Sequence, residues 1–356
     1  MISKKIGKVV EIKSQSGTLD DIRVEINGDI QRAYNYNLLT GDIKVGDEVV
    51  LNTTAVELSL GTGGYHFVIA NLNNLESDLV GEGHIMKLRY TPLQLKVNAV
   101  EEQDNINHDK INNFKNLDNL PVAVGTLHSM LVPFCASYKR QNPDKTLVYI
   151  MTDGAALPIF LSKNVETLKE KGLIDRTITI GNAFGGDCEC VNIYTALITA
   201  KEVLKADCVF VSMGPGIVGT GTKYGFTGIE QGQILDAVEK LGGRPVAIPR
   251  ISFADKRKRH NGISHHTITV LSEITNVKTD VPITVYDDEK LNIVKEQIRE
   301  SNLDKKHNII YLDNNKVKED LDYYDFKVKS MGRDYSQDEE FFKAASTVAY
   351  YISEVF

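Results

Sequence analysis

After Pro121 the chain alternates short apolar segments with longer amphipathic ones, and this alternation limits the possible folds more than any other feature of the sequence. Uniformly apolar strands that alternate with helices are typical of a parallel sheet covered by helices on both faces. Residues 121–356 are therefore predicted to form a Rossmann-like α/β domain with a mostly parallel sheet. The predicted strands are "PVAVGTL", "TLVYIMTD", "TITIGN", "DCVFVSMG", "RPVAIPRISF", "VPITVYD" and "NIIYLD". The predicted helices lie at residues 128–142, 155–173, 188–206, 227–242, 289–300 and 338–355.

The first 100 residues have a different pattern, in which short β-prone runs are separated by turn signals such as Asn27-Gly28. Strands at this spacing are typical of a small barrel or sandwich. Residues 1–100 are thus predicted to form an all-β domain ahead of the α/β domain. Residues 101–120 are polar and rich in Asn and Asp, and we predict that they form a linker.

Chain length and net charge limit the number of domains and the kinds of partner that the protein can have. A chain of 356 residues is long enough for two domains, and its net charge of −7 argues against nucleic acid or an anionic membrane as the main partner. No segment is long and apolar enough for a membrane span or a signal peptide. The four cysteines form no CxxC pair, so we expect a reduced, cytoplasmic protein without a disulfide framework.

The loops that follow the predicted strands have a composition of their own. Each contains Gly, His, Asp or Arg, whereas the connections at the opposite strand ends, such as "KRQNPDK" and "KEKGLIDR", are ordinary polar turns. In open parallel sheets, ligands bind at the carboxyl ends of the strands. We therefore predict one small-molecule site there, lined by residues 125–129, 152–158, 181–189, 212–228 and 250–266.

Residues 214–228 are unusually rich in glycine, and three roles are open for them. The first three glycines match the G-x-G-x-x-G of dinucleotide-binding turns, but Pro215 and an apparent capping box at Thr227–Glu230 delay the helix. A loop whose amides hold a phosphate or carboxylate is the second role, and a loop that only packs is the third. In the second role the ligand-binding residues would be Gly214, Gly216, Gly219, Gly221, Thr222, Lys223 and Arg250.

Five residues in these loops are candidates for acid–base catalysis, because His and carboxylate side chains transfer protons near neutral pH. A basic run, Lys256–Arg259, would gather an anionic substrate beside them. Structural roles are open for some of the candidates as well, since Asp187 would also cap a helix, and adjacent histidines on a strand point to opposite faces. His260 lies nearby, but without an H-x-H or H-x-x-x-H pair we predict no metal site. The candidates are His128, Asp153, Asp187, His265 and His266.

Six segments together resemble one bacterial protein family that is known only as a domain of unknown function. They are "NTTAVELSLGTGGYHFVIANL", "GHIMKLRYTPLQ", "MTDGAALP", "GNAFGGD", "MGPGIVGTGTKYGFTG" and "GISHHT". The resemblance covers nearly the whole chain and implies a bacterial, cytoplasmic protein. It implies no activity, because the family has none assigned.

The sequence therefore predicts one small-molecule site, and we expect an enzyme that acts on an anionic metabolite, with phosphorylated compounds among the candidates. The alternative is a non-catalytic ligand-sensing or assembly protein whose β domain contacts a partner. The sequence identifies neither a cofactor nor a substrate, and it leaves a homo-oligomer open.

Overall fold

The computed structural model describes every residue from 1 to 356. The chain forms two compact units, residues 1–96 and residues 97–356. None of its helices is both long enough and apolar enough to cross a membrane.

The first unit contains a closed five-stranded barrel, which confirms the predicted small β domain. The order around the barrel is β1-β2-β3-β5-β4, with β3 and β5 parallel and the other neighbours antiparallel. Ile22, Val24 and Ile26 of β2 are buried at alternate positions, the period that one buried sheet face requires. The elements of this unit are β1 (Lys4–Gln15), β2 (Leu19–Ile26), β3 (Asp29–Tyr36), α1 (Asn37–Thr40), β4 (Glu48–Asn52), α2 (Thr54–Glu57), β5 (Tyr65–Asn71) and β6 (Ile85–Lys87), the last of which pairs with β7 (Leu95–Val97).

Residues 97–120 belong to the compact second unit, although residues 101–120 are predicted to be a linker. They include α3 (His108–Asn112) and a series of turns. Ile111, Leu117 and Leu120 are buried against the core of the second unit. A few well-spaced apolar side chains are enough to fix a segment whose composition is otherwise that of a linker.

The second unit is built on an eight-stranded sheet in which every pair of neighbours is parallel, which confirms the predicted α/β fold. The strand order is β11-β10-β9-β12-β8-β13-β16-β17. Two further two-stranded pairs, β14 with β15 and β18 with β19, lie outside this sheet. The strands are β8 (Pro121–Val124), β9 (Leu147–Thr152), β10 (Arg176–Thr179), β11 (Cys188–Glu189), β12 (Cys208–Met213), β13 (Arg244–Ala247), β14 (Ile251–Ser252), β15 (Gly262–Ile263), β16 (Asp280–Thr284), β17 (Asn308–Leu312), β18 (Lys329–Ser330) and β19 (Arg333–Asp334).

Helices cover both faces of the sheet, and their apolar sides form two separate core clusters. The helices are α4 (Leu131–Gln141), α5 (Lys163–Glu170), α6 (Ile193–Ile198), α7 (Glu230–Lys240), α8 (His265–Thr269), α9 (Asp288–Glu300), α10 (Leu303–Lys306), α11 (Val317–Tyr323) and α12 (Glu339–Val355). Those on one face are α4, α5, α11 and α12, while α6, α7 and α9 lie on the other. The chain after β12 therefore leads to α7 on one face. The chain after each of its neighbours, β8 and β9, leads to α4 and α5 on the opposite face. Such a point of divergence is where open α/β sheets bind ligands.

Two predicted helices start later than the sequence suggests. The helix predicted at 188–206 begins at Ile193, because Cys188 and Glu189 extend the sheet as β11 and Asn192 provides the cap. The helix predicted at 227–242 begins at Glu230 after a 3₁₀ turn. The predicted capping box is not formed: Thr227 accepts a hydrogen bond from the Val218 N–H, and Glu230 accepts one from Thr152.

Candidate functional site

The carboxylate of Glu230 lies at the carboxyl end of β9, at the first residue of α7. The Thr152 hydroxyl donates a 2.6 Å hydrogen bond to Glu230 Oε1. The carboxylate also approaches Gly154 so closely that a Cβ at Gly154 would lie 3.0 Å from Oε2. Burial, together with the charge of Asp153, raises the pKa of Glu230 to about 7 even though the Thr152 hydrogen bond lowers it. A carboxyl group that titrates near neutral pH is suited to general acid–base catalysis.

Asp153, the residue after β9, connects two loops at this edge of the sheet. Its Oδ2 accepts a 3.0 Å hydrogen bond from the backbone N–H of Asn182, in the loop after β10. Gly181 has a φ of +61°, and a Cβ there would overlap the Asp153 carboxylate. The two loops thus present an exposed carboxylate that interacts electrostatically with Glu230.

The glycine-rich residues 214–228 form a hairpin that is mostly exposed. The N–H of Thr220 donates to the Gly225 carbonyl at 2.8 Å, and the N–H of Thr227 donates to the Val218 carbonyl at 2.9 Å. These amides cannot also bind a ligand while the hairpin stays closed. The pairing closes the hairpin without using the amides of Gly216, Gly219 and Gly221.

Two glycines of the hairpin, Gly216 and Gly221, have φ angles of +113° and +80°, a region that side chains with a Cβ rarely adopt. Gly214 has another requirement, since a Cβ there would lie 2.6 Å from the Ala156 carbonyl oxygen. Gly214 is thus required by close packing against the loop after β9. Gly216 and Gly221 are required by the local backbone conformation.

The polar residues at the tip of the hairpin have partners in the protein. The hydroxyl of Thr222 lies 2.9 Å from that of Thr220. Lys223 Nζ forms a 2.6 Å ion pair with Glu273, which also accepts a 2.6 Å hydrogen bond from the Tyr224 hydroxyl. The structure therefore directs Lys223 toward Glu273, on the helical continuation of α8.

Three histidine rings meet beside the hairpin. The ring centroids of His260 lie 4.9 Å from His265 and 5.1 Å from His266, and the last two rings are 4.1 Å apart. Phe226 of the hairpin stacks on His266 with 3.9 Å between centroids. Burial, with nearby positive charges, lowers the pKa of His260 to about 3 and that of His266 to about 4, and it also lowers the pKa of His265. The three imidazoles are therefore neutral at neutral pH.

A buried ion-pair network adjoins these rings. Arg250 pairs with Asp255 at 3.2 Å, and its Nη1 lies 3.4 Å from His260 Nδ1. Arg257 binds the same carboxylate through Nε at 3.0 Å and Nη2 at 2.8 Å. The hydrogen bond from Arg257 is the main cause that holds the pKa of Asp255 far below its usual range. Arg250 is thus fixed by Asp255 beside the histidines.

The basic run Lys256–Arg259 keeps an excess of positive charge at the surface. Within it, Arg257 is neutralised by Asp255, whereas Lys256, Lys258 and Arg259 form no ion pair with a carboxylate. Lys258, Arg259 and His265 line a shallow pocket with a volume of about 330 Å³. This excess charge is available to attract an anion.

Hydrogen bonds and ring stacking join four of the five loops that the sequence predicts to line one site, and the fifth, residues 125–129, adjoins the hairpin, since a Cβ at Gly228 would lie 3.4 Å from Thr126 Cβ. Besides the bond between Asp153 and Asn182, the N–H of Ala156 donates to the Pro215 carbonyl at 3.1 Å. The stacking of Phe226 on His266 joins the hairpin to the loop before α8. Asp153, the glycine hairpin, Arg250, His265 and His266 therefore belong to one connected group of loops.

His128, in the fifth loop, lies in the core of the α/β domain. Its Nε2 is 2.6 Å from the Ser162 hydroxyl, and its Nδ1 is 3.2 Å from the Tyr149 hydroxyl. Burial lowers its pKa to about 4. With both ring nitrogens bonded to buried neighbours, His128 has the environment of a structural residue.

Asp187 lies toward the amino end of β11, away from the carboxyl ends of the strands. It accepts hydrogen bonds from Lys169 Nζ at 2.6 Å and from the backbone and hydroxyl of Thr177 at 2.7 and 2.9 Å. Burial raises its pKa, but these bonds outweigh that effect and the net shift is downward. Asp187 therefore joins β10 to α5, and it is neither a helix cap nor a neighbour of Glu230.

Sequence reasoning missed Glu230 as a site residue, whereas Thr152 belongs to residues 152–158, which are predicted to line the site. The spacing from Thr227 to Glu230 matches a capping box, so the sequence predicts a local role for the glutamate. The sequence feature that points to Glu230 is its position directly after a glycine-rich connection at the carboxyl edge of the sheet.

Comparison with known proteins gives one match. A family model described as "Protein of unknown function (DUF3866)" matches residues 32–349. No curated protein and no solved structure matches the chain. The geometry of the site therefore has to carry any functional argument.

Proposed function

This chain belongs to the DUF3866 family, and we propose that its α/β domain is an enzyme that binds a small anionic metabolite and uses Glu230 to transfer a proton. The bound anion would lie at the carboxyl edge of the sheet, between the loop after β9 and the glycine hairpin. Phosphorylated and carboxylated compounds are both within this class.

The observation that carries the proposal is the environment of Glu230. Its carboxyl group is held by Thr152 and packed against Gly154, and its pKa is raised to about 7. A glutamate serving only as a helix cap would keep its charge, because the helix dipole favours an anion at that end. Near neutral pH both protonation states of Glu230 are populated, so it can give and take a proton.

The anionic character of the ligand is inferred from the basic side chains around the hairpin. Lys256, Lys258 and Arg259 form no ion pair with a carboxylate, and Arg259 Nη2 lies 4.0 Å from the position of a Cβ at Gly221. In a protein with a net charge of −7, such a local excess of positive charge would raise the local concentration of an anion.

Ligand sensing is a second candidate function, favoured by the attachment of the hairpin tip. Lys223 and Tyr224 both contact Glu273 at the protein surface. A ligand that moves the hairpin would break these two contacts and change that surface without any chemistry.

The test starts with thermal melting of the purified protein against a panel of phosphate esters and carboxylates. A compound that raises the melting temperature is then incubated with the wild type, with Glu230→Gln and with Glu239→Gln, and its consumption is followed. Glu239 lies on the same helix and is exposed, so its variant is the control. We expect Glu230→Gln to bind but not convert the compound, while Glu239→Gln converts it normally. Normal turnover by Glu230→Gln would refute the catalytic role, and binding without turnover by the wild type would support sensing.

A further inference from the structure

Three imidazole groups are brought together by the turn that precedes α8. His260, His265 and His266 each offer one ring nitrogen, and the three nitrogens lie within 4.8 Å of one another. The Ser264 hydroxyl accepts a hydrogen bond from the His266 N–H at 3.3 Å and so caps α8. Because His265 and His266 begin a helix and not a strand, their rings stay on neighbouring sides of the backbone and come within 4.1 Å.

His265 has a ring nitrogen that lacks a hydrogen-bond partner. His265 Nε2 is buried and makes no hydrogen bond. A buried polar atom without a partner costs free energy, and native proteins rarely leave one without a functional reason. An electron-pair acceptor placed between the three rings would satisfy it.

His260 is already oriented as a metal-binding histidine would be. Its Nδ1 lies 2.7 Å from the Ser264 hydroxyl. When Nδ1–H donates to that oxygen, the lone pair of the neutral ring is on Nε2. Arg259 Nε donates to this Nε2 at 3.5 Å, so the guanidinium group turns aside when a cation binds there. Metal-binding histidines are commonly fixed in this way by a hydrogen bond from their other ring nitrogen.

We propose that His260, His265 and His266 form a binding site for a divalent first-row transition metal of the Zn²⁺ or Co²⁺ type. Imidazole nitrogen is a preferred ligand of these ions, and three protein ligands leave one position open for substrate or solvent. Two nitrogens bound to the same tetrahedral zinc lie roughly 3.4 Å apart, so the rings close inward when the ion binds. The proposal departs from the sequence-based expectation of no metal site.

The surrounding charges indicate what takes the open position. The three neutral imidazoles contribute no negative charge, and Asp255, which pairs with Arg250 and Arg257, offsets only part of the positive potential of Arg250, Arg257 and Arg259 at the rings. A negative ligand on the metal would offset the positive charge of the ion and of these guanidinium groups. The fourth ligand is therefore an anion, and the metal should bind more tightly in the presence of inorganic phosphate or a carboxylate than in chloride alone.

The experiment measures Co²⁺ binding to EDTA-treated full-length protein, by calorimetry and by the visible absorption of the bound ion. We expect one Co²⁺ per chain, displacement by Zn²⁺, and at least tenfold weaker binding in His265→Ala and in His266→Ala. His108→Ala is the control, because His108 contacts the Glu101 carbonyl outside this group of rings. It should bind Co²⁺ like the wild type.

X-ray absorption of the Co²⁺-loaded wild type counts the coordinated imidazoles and needs no variant, so the proposal stays testable even if a substitution prevents folding. Three imidazoles would support the proposal. Fewer than three, unsaturable binding, or equal loss in His108→Ala would overturn it. Metal binding is measured here without turnover, so a failure of the catalytic role of Glu230 would leave this result unaffected.

Discussion

The Thr152 hydroxyl donates a 2.6 Å hydrogen bond to the Glu230 carboxylate, across 78 residues of sequence. Thr152 ends β9 and Glu230 begins α7, so this bond joins a strand on one side of β12 to the helix that follows β12. It replaces the local capping contact that the sequence suggests for Glu230. The carboxyl group is thereby held at the edge of the sheet where its neighbours are Gly154 and Asp153.

The raised pKa of Glu230 predicts a pH dependence of stability. Its pKa rises from 4.5 in the unfolded chain to about 7 in the folded protein, so the folded state binds more protons between these values. Stability should therefore fall as pH increases from about 4.5 to 7 and then level off. At about 1.4 kcal/mol per pH unit, the full effect is at most roughly 3 kcal/mol, reduced by the partial exposure of the side chain.

The matched measurement is urea unfolding of the wild type and Glu230→Gln across this pH range. The glutamine cannot ionise, so the variant should gain stability relative to the wild type as pH rises. A difference that stays constant from pH 4.5 to 8 would show that the pKa of Glu230 is not raised in the folded protein.

Alternation of apolar strands and amphipathic helices was sufficient to predict a parallel α/β sheet, because both properties are local. The strand order was not predictable in the same way. The placement of β12 between β8 and β9 depends on which helix faces pack together, as in the separate clusters that contain Ile234 and Phe342. No local sequence pattern predicts which helix faces pack together.

The site shows the same limit at the level of single residues. Asp153 and His266 are predicted to lie at the site because they follow apolar strands, where ligands bind. For Glu230 the spacing predicts a capping contact, whereas its hydrogen-bond partner, Thr152, is distant in sequence. Asp187 is expected to precede a helix because the two-residue strand β11 is too short to recognise as a strand.

Gly181 is predicted to be essential for the position of Asp153. Alanine there combines a φ of +61° with overlap of the Asp153 carboxylate, whereas Gly172 has a φ of +68° and no atoms within 4 Å. Gly172→Ala should therefore cost only the backbone strain, about 1–2 kcal/mol. Gly181→Ala should cost about 1.5–3 kcal/mol more, because it also disrupts the charged hydrogen bond from Asp153 to the Asn182 N–H.

Unfolding free energies of the two variants test this directly, and ligand binding is measured on each. Only Gly181→Ala should lose the ligand-induced rise in melting temperature. Equal destabilisation by the two substitutions would mean that Asp153 moves aside without cost and has no fixed role.

The basic run is predicted to act through long-range attraction. Replacing Lys256, Lys258 and Arg259 with Gln should weaken binding of an anionic ligand at low salt and have little effect at about 0.5 M salt, where screening removes the attraction. Arg257 is left unchanged, because it holds the buried Asp255 carboxylate. Affinity of the triple variant is measured by calorimetry at several ionic strengths. An affinity equal to that of the wild type at every salt concentration would identify the run as a solvated surface.

The glycine hairpin provides the last test, because Gly216 and Gly219 differ in what alanine would do. Gly219 does not have a positive φ, and a Cβ there would make an ordinary 3.6 Å contact with His266 Cε1. Gly216 has a φ of +113°, so alanine there should cost about 1–2 kcal/mol.

The amides of Thr220 and Thr227 close the hairpin, so we expect it to cover the ligand and not to bind it through converging amides. Gly219→Ala should then melt like the wild type and retain ligand affinity within about twofold, since a factor of two is less than about 0.5 kcal/mol. The paired measurement is the melting temperature and the ligand-induced shift for each alanine variant. Loss of ligand binding in both variants, with Gly219→Ala otherwise as stable as the wild type, would instead show that the loop opens and its amides hold the anion directly.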